Sequence, residues 1–160
     1  MYWPNGRGMS YIHHDTRKDT EDAMKRSADA VWTGSLKDGS GTFGVGSGAF
    51  REQKYGFRTR FENEPGTNPE ELIAAAHASC FSMALSAQLG ERSITAASIK
   101  TTAEITFENL TLTKSLLKTT VSAPGASKEK IEEAAAAAKA GCPISKVLKL
   151  EIVLELTVET

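Results

Sequence analysis

The hydrophobic and polar positions change period several times along the chain, and each change marks an element. From Ala28, short apolar alternations broken by glycine predict strands at ADAVWTG and GTFGVG, with Asp38-Gly39 as the hairpin signal between them. A third strand is predicted at YGFRTRF, where alternation puts Phe57, Thr59 and Phe61 on one face and Arg58, Arg60 and Glu62 on the other. The run TNPEELIAAAHASCFSMALSAQLG then predicts a helix from Pro69 to Leu89. Asn68 can cap it, Pro69 suits its first turn, Glu70 and Glu71 complement its dipole, and Gly90 supplies a stop. After Glu71 this helix is apolar on nearly every side, which predicts a place in the centre of the fold. Two half-buried strands follow, one with Ile99, Ala103, Ile105 and Phe107 inward and one with Leu117, Thr119 and Val121 inward. Ser127 opens a helix that Gly141 ends, Pro143 starts a short helical turn, and Ile152, Leu154, Leu156 and Val158 alternate inward in a last strand. The order βββ-α-ββ-α-α-β predicts an α+β layer fold with a mostly antiparallel sheet.

Residues 1–23 fit neither period until DTEDAMKRSADA, which predicts a short polar helix. They are treated as an N-terminal extension, and residues 24–160 as the main domain. At 160 residues one domain can bury most of its apolar surface without a metal or disulfide scaffold. A net charge of −1, from 19 basic and 20 acidic residues, provides no field to gather phosphates, so the charge pattern argues against nucleic acid. The beginning of the chain lacks the apolar core of a secretory signal. Residues 72–89 reach the length of a membrane span, yet alanine and serine dominate them and they include His77 and Gln88, and a buried helix of a soluble protein is expected instead. Two cysteines without an export signal fit a reducing cytoplasm.

Few patterns carry chemistry. Gly39, Gly41 and Gly44 form G-x-G-x-x-G, but a dinucleotide site needs a helix next, and the strand-like VGSGAFREQKYGF follows. The motif is read as a hairpin and bulged strand. No histidine and cysteine spacing matches a metal site. His77 lies one helical turn before Cys80, where a Cys-His nucleophile pair is conceivable, but a buried structural histidine is the commoner arrangement. Cys80 falls 80 − 69 = 11 residues into its helix, about 16 Å from the start, out of reach of that helix's dipole. A nearby cation would have to activate it, and the arginines of YGFRTRF are the candidates. Cys142 precedes Pro143 at a cap position, where free backbone N–H groups favour a thiolate. By helix-end reasoning alone, Cys142 is the more reactive of the two.

YGFRTRFENEPGTNPEELIAAAHASCFSMALS followed by AKAGCPISKVL resembles the OsmC branch of the OsmC/Ohr family of cysteine-based hydroperoxide reductases, with similarity from Val31-Trp32 to the last strand. The resemblance implies an OsmC-like intertwined homodimer with buried central helices and two active sites at the subunit interface. It implies that Cys80 is the peroxidatic thiolate, Cys142 its resolving partner, Arg60 the cation that holds the thiolate and polarises the peroxide, and Glu70 the carboxylate that orients Arg60. No metal, haem or flavin is implied, and an external dithiol, for instance a lipoylated protein, would reduce the enzyme. Organic hydroperoxides are expected to react faster than hydrogen peroxide, with Phe57, Phe61, Phe81 and Met83 among the residues expected near Cys80. Two other readings compete: a non-enzymatic stress protein binding an apolar ligand in the dimer groove, and a disulfide-exchange enzyme.

Overall fold

The structure is a computed structural model that describes residues 23–62 and 64–160. Most of the N-terminal extension, including the first four residues of its expected helix, lies outside the described residues. Residues 23–27 carry no regular structure, and Ala28–Ala30 already belong to a strand, so the helical expectation fails there. Strands β1 (Ala28–Thr33), β2 (Ser40–Val45) and β3 (Gln53–Gly56) form an antiparallel meander in that order. β1 pairs Ala28 with Val45 and β2 pairs Ser40 with Gly56. Two glycines of the G-x-G-x-x-G run lie in β2, with no helix start after them. Gly41 is required by packing, because a Cβ there would fall 2.5 Å from the ring of Tyr55.

The third expected strand is a correction. β3 stops at Gly56, and Phe57–Phe61 form one helical turn, α1. Local bonding explains the switch: the Gly56 N–H donates to Thr59 Oγ1 at 3.1 Å, and the Thr59 hydroxyl donates back to the Gly56 carbonyl at 3.0 Å. A threonine three residues on thus closes a turn that outcompetes strand pairing. Arg58 and Arg60 therefore do not share a strand face.

Helix α2 runs from Pro69 to Glu91, and the Asn68 side chain accepts the Glu71 N–H at 2.9 Å as its cap. It passes through Gly90 and ends at Arg92, with Ser93 at φ 58° turning the chain out, so Gly90 is not its stop. Beyond it, β4 (Ser98–Glu108) and β5 (Thr111–Ser122) form an antiparallel hairpin about Asn109 and Leu110, both at positive φ. Helices α3 (Lys128–Gly141) and α4 (Pro143–Val147) cross over to β6 (Glu151–Glu159), which lies parallel to β5. The sheet pairing is mostly antiparallel with this one parallel pair, for which a helical crossover is the usual route.

The core lies between the β4–β5–β6 sheet and the three longer or neighbouring helices. α2 buries His77, Phe81, Leu85 and Leu89, spaced every fourth residue. β5 buries Ser115, Leu117, Thr119 and Val121, and α3 buries Ile131, Ala134, Ala135 and Ala138. α2 is not enclosed by its own chain. One stripe is covered, whereas Met83 on another face is 75% exposed, so a single chain covers the helix on one side only. The helix is long and apolar enough to cross a membrane, but its buried stripe is packed into the core.

His77 ties three elements together. Its Nδ1 lies 2.7 Å from Ser115 Oγ on β5, and its Nε2 lies 2.9 Å from Ser145 Oγ on α4. The partners are two hydroxyls rather than backbone. Burial holds the imidazole below its ordinary value of 6.5. The unfolded chain therefore binds a proton at a higher pH than the folded one. The stability that His77 contributes is complete above 6.5 and is lost as pH falls below it toward the folded value. Urea midpoints measured at descending pH are expected to fall through this window, and to fall less steeply in His77→Asn; equal slopes in the two proteins would contradict the assignment.

Candidate active site

The two cysteines are brought together by the meeting of α2 with the junction of α3 and α4. Cys80 lies mid-way along α2, on the side adjoining the covered stripe, and is partly exposed. Cys142 ends α3 and begins α4, because Pro143 cannot continue the first helix but suits the first turn of the second. It is completely buried. The two Sγ atoms lie 3.2 Å apart and both thiols are free. At that distance a single proton can be shared, and a disulfide would require only a small further approach.

Their surroundings divide the charge between them unequally. Burial pushes Cys80 up; the Ile144 N–H pulls it partly back, and the neighbouring Cys142 raises it further. For Cys142, burial is again the largest influence and is unfavourable, but it is outweighed. The Ser145 N–H, the Cys80 thiol, the Ser145 hydroxyl and the Ile144 N–H together favour its thiolate, and Cys142 falls below the ordinary thiol value. In the isolated chain the negative charge therefore prefers Cys142, in line with the helix-end argument. The same argument is incomplete for Cys80. Its own helix start is far away, but the Ile144 N–H in the first turn of α4 favours its thiolate too.

Arg60 and Glu70 form the second pair. Arg60 Nη2 lies 2.8 Å and Nε 3.1 Å from Glu70 Oε1, a two-pronged contact in which the carboxylate side chain is only 14% exposed. The guanidinium carbon also lies 5.1 Å from the ring centroids of both Phe61 and Phe107. The Arg58 side chain, by contrast, makes among the described residues only a solvent-exposed contact with Glu62 at 3.7 Å. Arg60, Glu70, Ala74, Ala103, Ile105 and Phe107 line a cavity of about 370 Å³ that neither sulfur lines. Within one chain Arg60 neither bonds to Cys80 nor contributes to its titration. Two halves are thus present: a thiol pair and an arginine-carboxylate pair.

Of the aromatic and apolar residues expected near Cys80, Phe81 is fully buried and fills the core, and Met83 points to solvent. Phe57 and Phe61 stack on each other at 4.7 Å beside Arg60. Sequence reasoning missed Ser145 and Ser115. Ser145 could have been found as the third residue after the capping Cys142, and Ser115 as the next inward position before Leu117, Thr119 and Val121. Among the described residues no cluster of histidine, cysteine or carboxylate side chains could hold a metal ion.

Residues 61–157 match the OsmC family, described as OsmC-like protein. The chain is 48% identical over 136 residues to the peroxiredoxin OsmC of Escherichia coli strain K12, covering 82% of this chain and 95% of the relative. Among solved structures, an organic hydroperoxide resistance protein OsmC from Legionella pneumophila superposes with a TM-score of 0.60 at 21% identity, covering 84% of this chain and 97% of that one. The organic hydroperoxide resistance protein OhrB of Bacillus subtilis gives 0.59 at 22% identity, over 83% and 98%. The structural likenesses establish the fold, and with the sequence match they leave one assignment: the chain belongs to the OsmC family.

Proposed function

We propose that this chain is a thiol-dependent peroxidase that reduces organic hydroperoxides, and hydrogen peroxide more slowly, with Cys80 as the attacking sulfur and Cys142 as the resolving one. The observation that carries this reading is the pair of free sulfurs 3.2 Å apart, one partly exposed and one fully buried. A peroxide from solvent meets Cys80 first. Accessibility thus outweighs the more stable thiolate of Cys142, and the Cys80 proton can cross the short contact to Cys142 as Cys80 attacks. The Cys80 thiolate takes the distal oxygen: an S–O bond forms, the O–O bond breaks, and the alkoxide leaves and is protonated to the alcohol. Cys80 is then a sulfenic acid. Cys142 attacks that sulfur, water leaves, and the disulfide stores the two electrons given to the peroxide. An external dithiol, for which a lipoylated protein is a candidate, returns both thiols to the reduced state.

Arg60, oriented by Glu70, is assigned to holding the Cys80 thiolate and polarising the peroxide. This role needs the two halves of the site to meet, and a homodimer supplies the means. α2 leaves much of its apolar surface uncovered, β1 is exposed throughout, and Val31, Trp32, Phe61 and Met83 add apolar area. A second copy of the chain is the proposed cover, with the active sites at the interface and the protein in the reducing cytoplasm.

Rapid mixing of the reduced protein with cumene hydroperoxide and with hydrogen peroxide, followed by mass analysis, tests the chemistry. Cys80→Ser is expected to abolish oxidation, and Cys142→Ser to accumulate a sulfenic acid at Cys80. Arg60→Ala should slow oxidation by roughly a hundredfold, whereas Arg58→Ala should change it by less than about twofold. Burying on the order of 100 Å² of an aryl group is worth about 2.5 kcal/mol before binding costs, so cumene hydroperoxide should react at least about tenfold faster. No peroxide consumption by the wild type would favour a non-enzymatic ligand-binding role. The assembly has its own test. Sedimentation equilibrium at micromolar concentration should give a dimer, and Met83→Asp should shift it to monomer; a monomeric wild type would remove the proposed cover for α2.

A further inference from the structure

His77 is fully buried, its two ring nitrogens are both occupied, and the chemistry outlined above does not use it. Both partners are hydroxyls, which can donate or accept, so the neutral ring in either tautomer and the doubly protonated ring are all satisfied in place. One of those hydroxyls belongs to Ser145, at 2.9 Å from Nε2, and Ser145 is also the residue whose N–H and hydroxyl favour the Cys142 thiolate. Hydrogen bonds therefore run from Ser115 through His77 to Ser145, which stands three residues after Cys142 in the first turn of α4. No buried side-chain polar atom among the described residues is left without a partner.

We propose that His77 is a positioning residue and proton store for Cys142, acting through the Ser145 hydroxyl in the step that closes the disulfide. The proposal rests on the peroxidase reading above. In that step Cys142 must lose its proton before its sulfur attacks Cys80. The thiol proton passes to Ser145 Oγ as the Ser145 hydroxyl proton passes to His77 Nε2, leaving a thiolate and an imidazolium whose Nδ1–H donates to Ser115. The Cys142 thiolate then forms the S–S bond while the S–O bond of the Cys80 sulfenic acid breaks. The departing hydroxide takes back the proton through the same chain and leaves as water. The sum is sulfenic acid plus thiol giving disulfide plus water, with no added oxidant or reductant. Burial, which disfavours the imidazolium, makes its proton easy to return.

The groups around His77 are suited to this exchange. β5 and α4 offer it Ser115 and Ser145, and the other residues that β5 and α3 bury in the same core, Leu117, Thr119, Val121, Ile131 and the alanines of α3, are uncharged. The half-buried positions of β4, Ile99, Thr101, Ala103, Ile105, Thr106 and Phe107, are likewise uncharged. Cys142 is the titratable side chain influenced by Ser145, and Cys80 lies 3.2 Å beyond it, so the pH dependence of ring closure reports on the two cysteines and on His77.

The test separates the two chemical steps. Sulfenic acid formation and disulfide closure are timed in the same mixing experiment with cumene hydroperoxide, using the wild type, Ser145→Ala, Ser145→Thr and His77→Asn. The ratio of the closure rate to the first-step rate should fall by roughly tenfold to a hundredfold in Ser145→Ala and His77→Asn, lose its wild-type pH inflection, and recover in Ser145→Thr. An unchanged ratio, or a fall that is equal at every pH and is not recovered by threonine, would overturn the proposal. Failure of the peroxidase reading looks different, since the wild type would then form no sulfenic acid. A second measurement needs no variant: in protein with ¹⁵N-labelled histidine, the His77 ring shifts should follow ionisation of Cys142 in the reduced form and not in the disulfide form. Ring shifts that ignore that ionisation would overturn the proposal even if a variant failed to fold.

Discussion

A 23-residue helix with apolar side chains around most of its circumference cannot be covered by one three-stranded sheet, and the placement of α2 follows from that constraint. Its stripe of His77, Phe81, Leu85 and Leu89 takes the cover available from β5 and α3. Small residues let its neighbours come close. Ser82 donates to Thr101 on β4 at 2.8 Å, and the alanines of α3 let that helix lie alongside. Cys80 falls next to the covered stripe, at the border between core and uncovered surface. That border is where a sulfur can be shielded by protein and still meet a small molecule.

The thiol pair depends on a second constraint, the parallel pairing of β5 and β6. Such a pair cannot be joined by a hairpin, and the crossover brings α3 and α4 over the sheet toward α2. The break between those helices sets Cys142 at the end of one and the start of the other. N–H groups of α4 then face both sulfurs, and one short helical turn lowers the cost of charge on either. Charge is supplied to the site by backbone, and direction by accessibility.

Much of this architecture was legible in the chain. The cap at Asn68, the extent of α3 from Ser127 and the inward faces of β4, β5 and β6 are local patterns, set by neighbours a few residues away. The stretch at Phe57–Phe61 was not, because its alternation resembles a strand while the Thr59 hydroxyl closes a turn on Gly56. The end of α2 was misread because a glycine is a permitted stop, not a compulsory one, and Ser93 took the left-handed position instead. In the site, the two cysteines and the Arg60–Glu70 pair came from a long motif. The hydroxyl partners of His77 lie 38 and 68 positions away and leave no local trace.

The short contact between Cys80 and Cys142 has a consequence for the whole chain, since the two positions are 62 apart. A bond between them ties a loop that holds half of α2, the β4–β5 hairpin and all of α3. In the chain-entropy view, closing a loop of that length destabilises the unfolded ensemble by about 4 kcal/mol. With the proposed chemistry, each turnover would then tie and untie the protein's own core. A chain waiting for its reductant would be the form hardest to unravel, and a protease acting on transiently opened molecules would spare it. Supply of the dithiol would in this way set the lifetime of the protein as well as its rate.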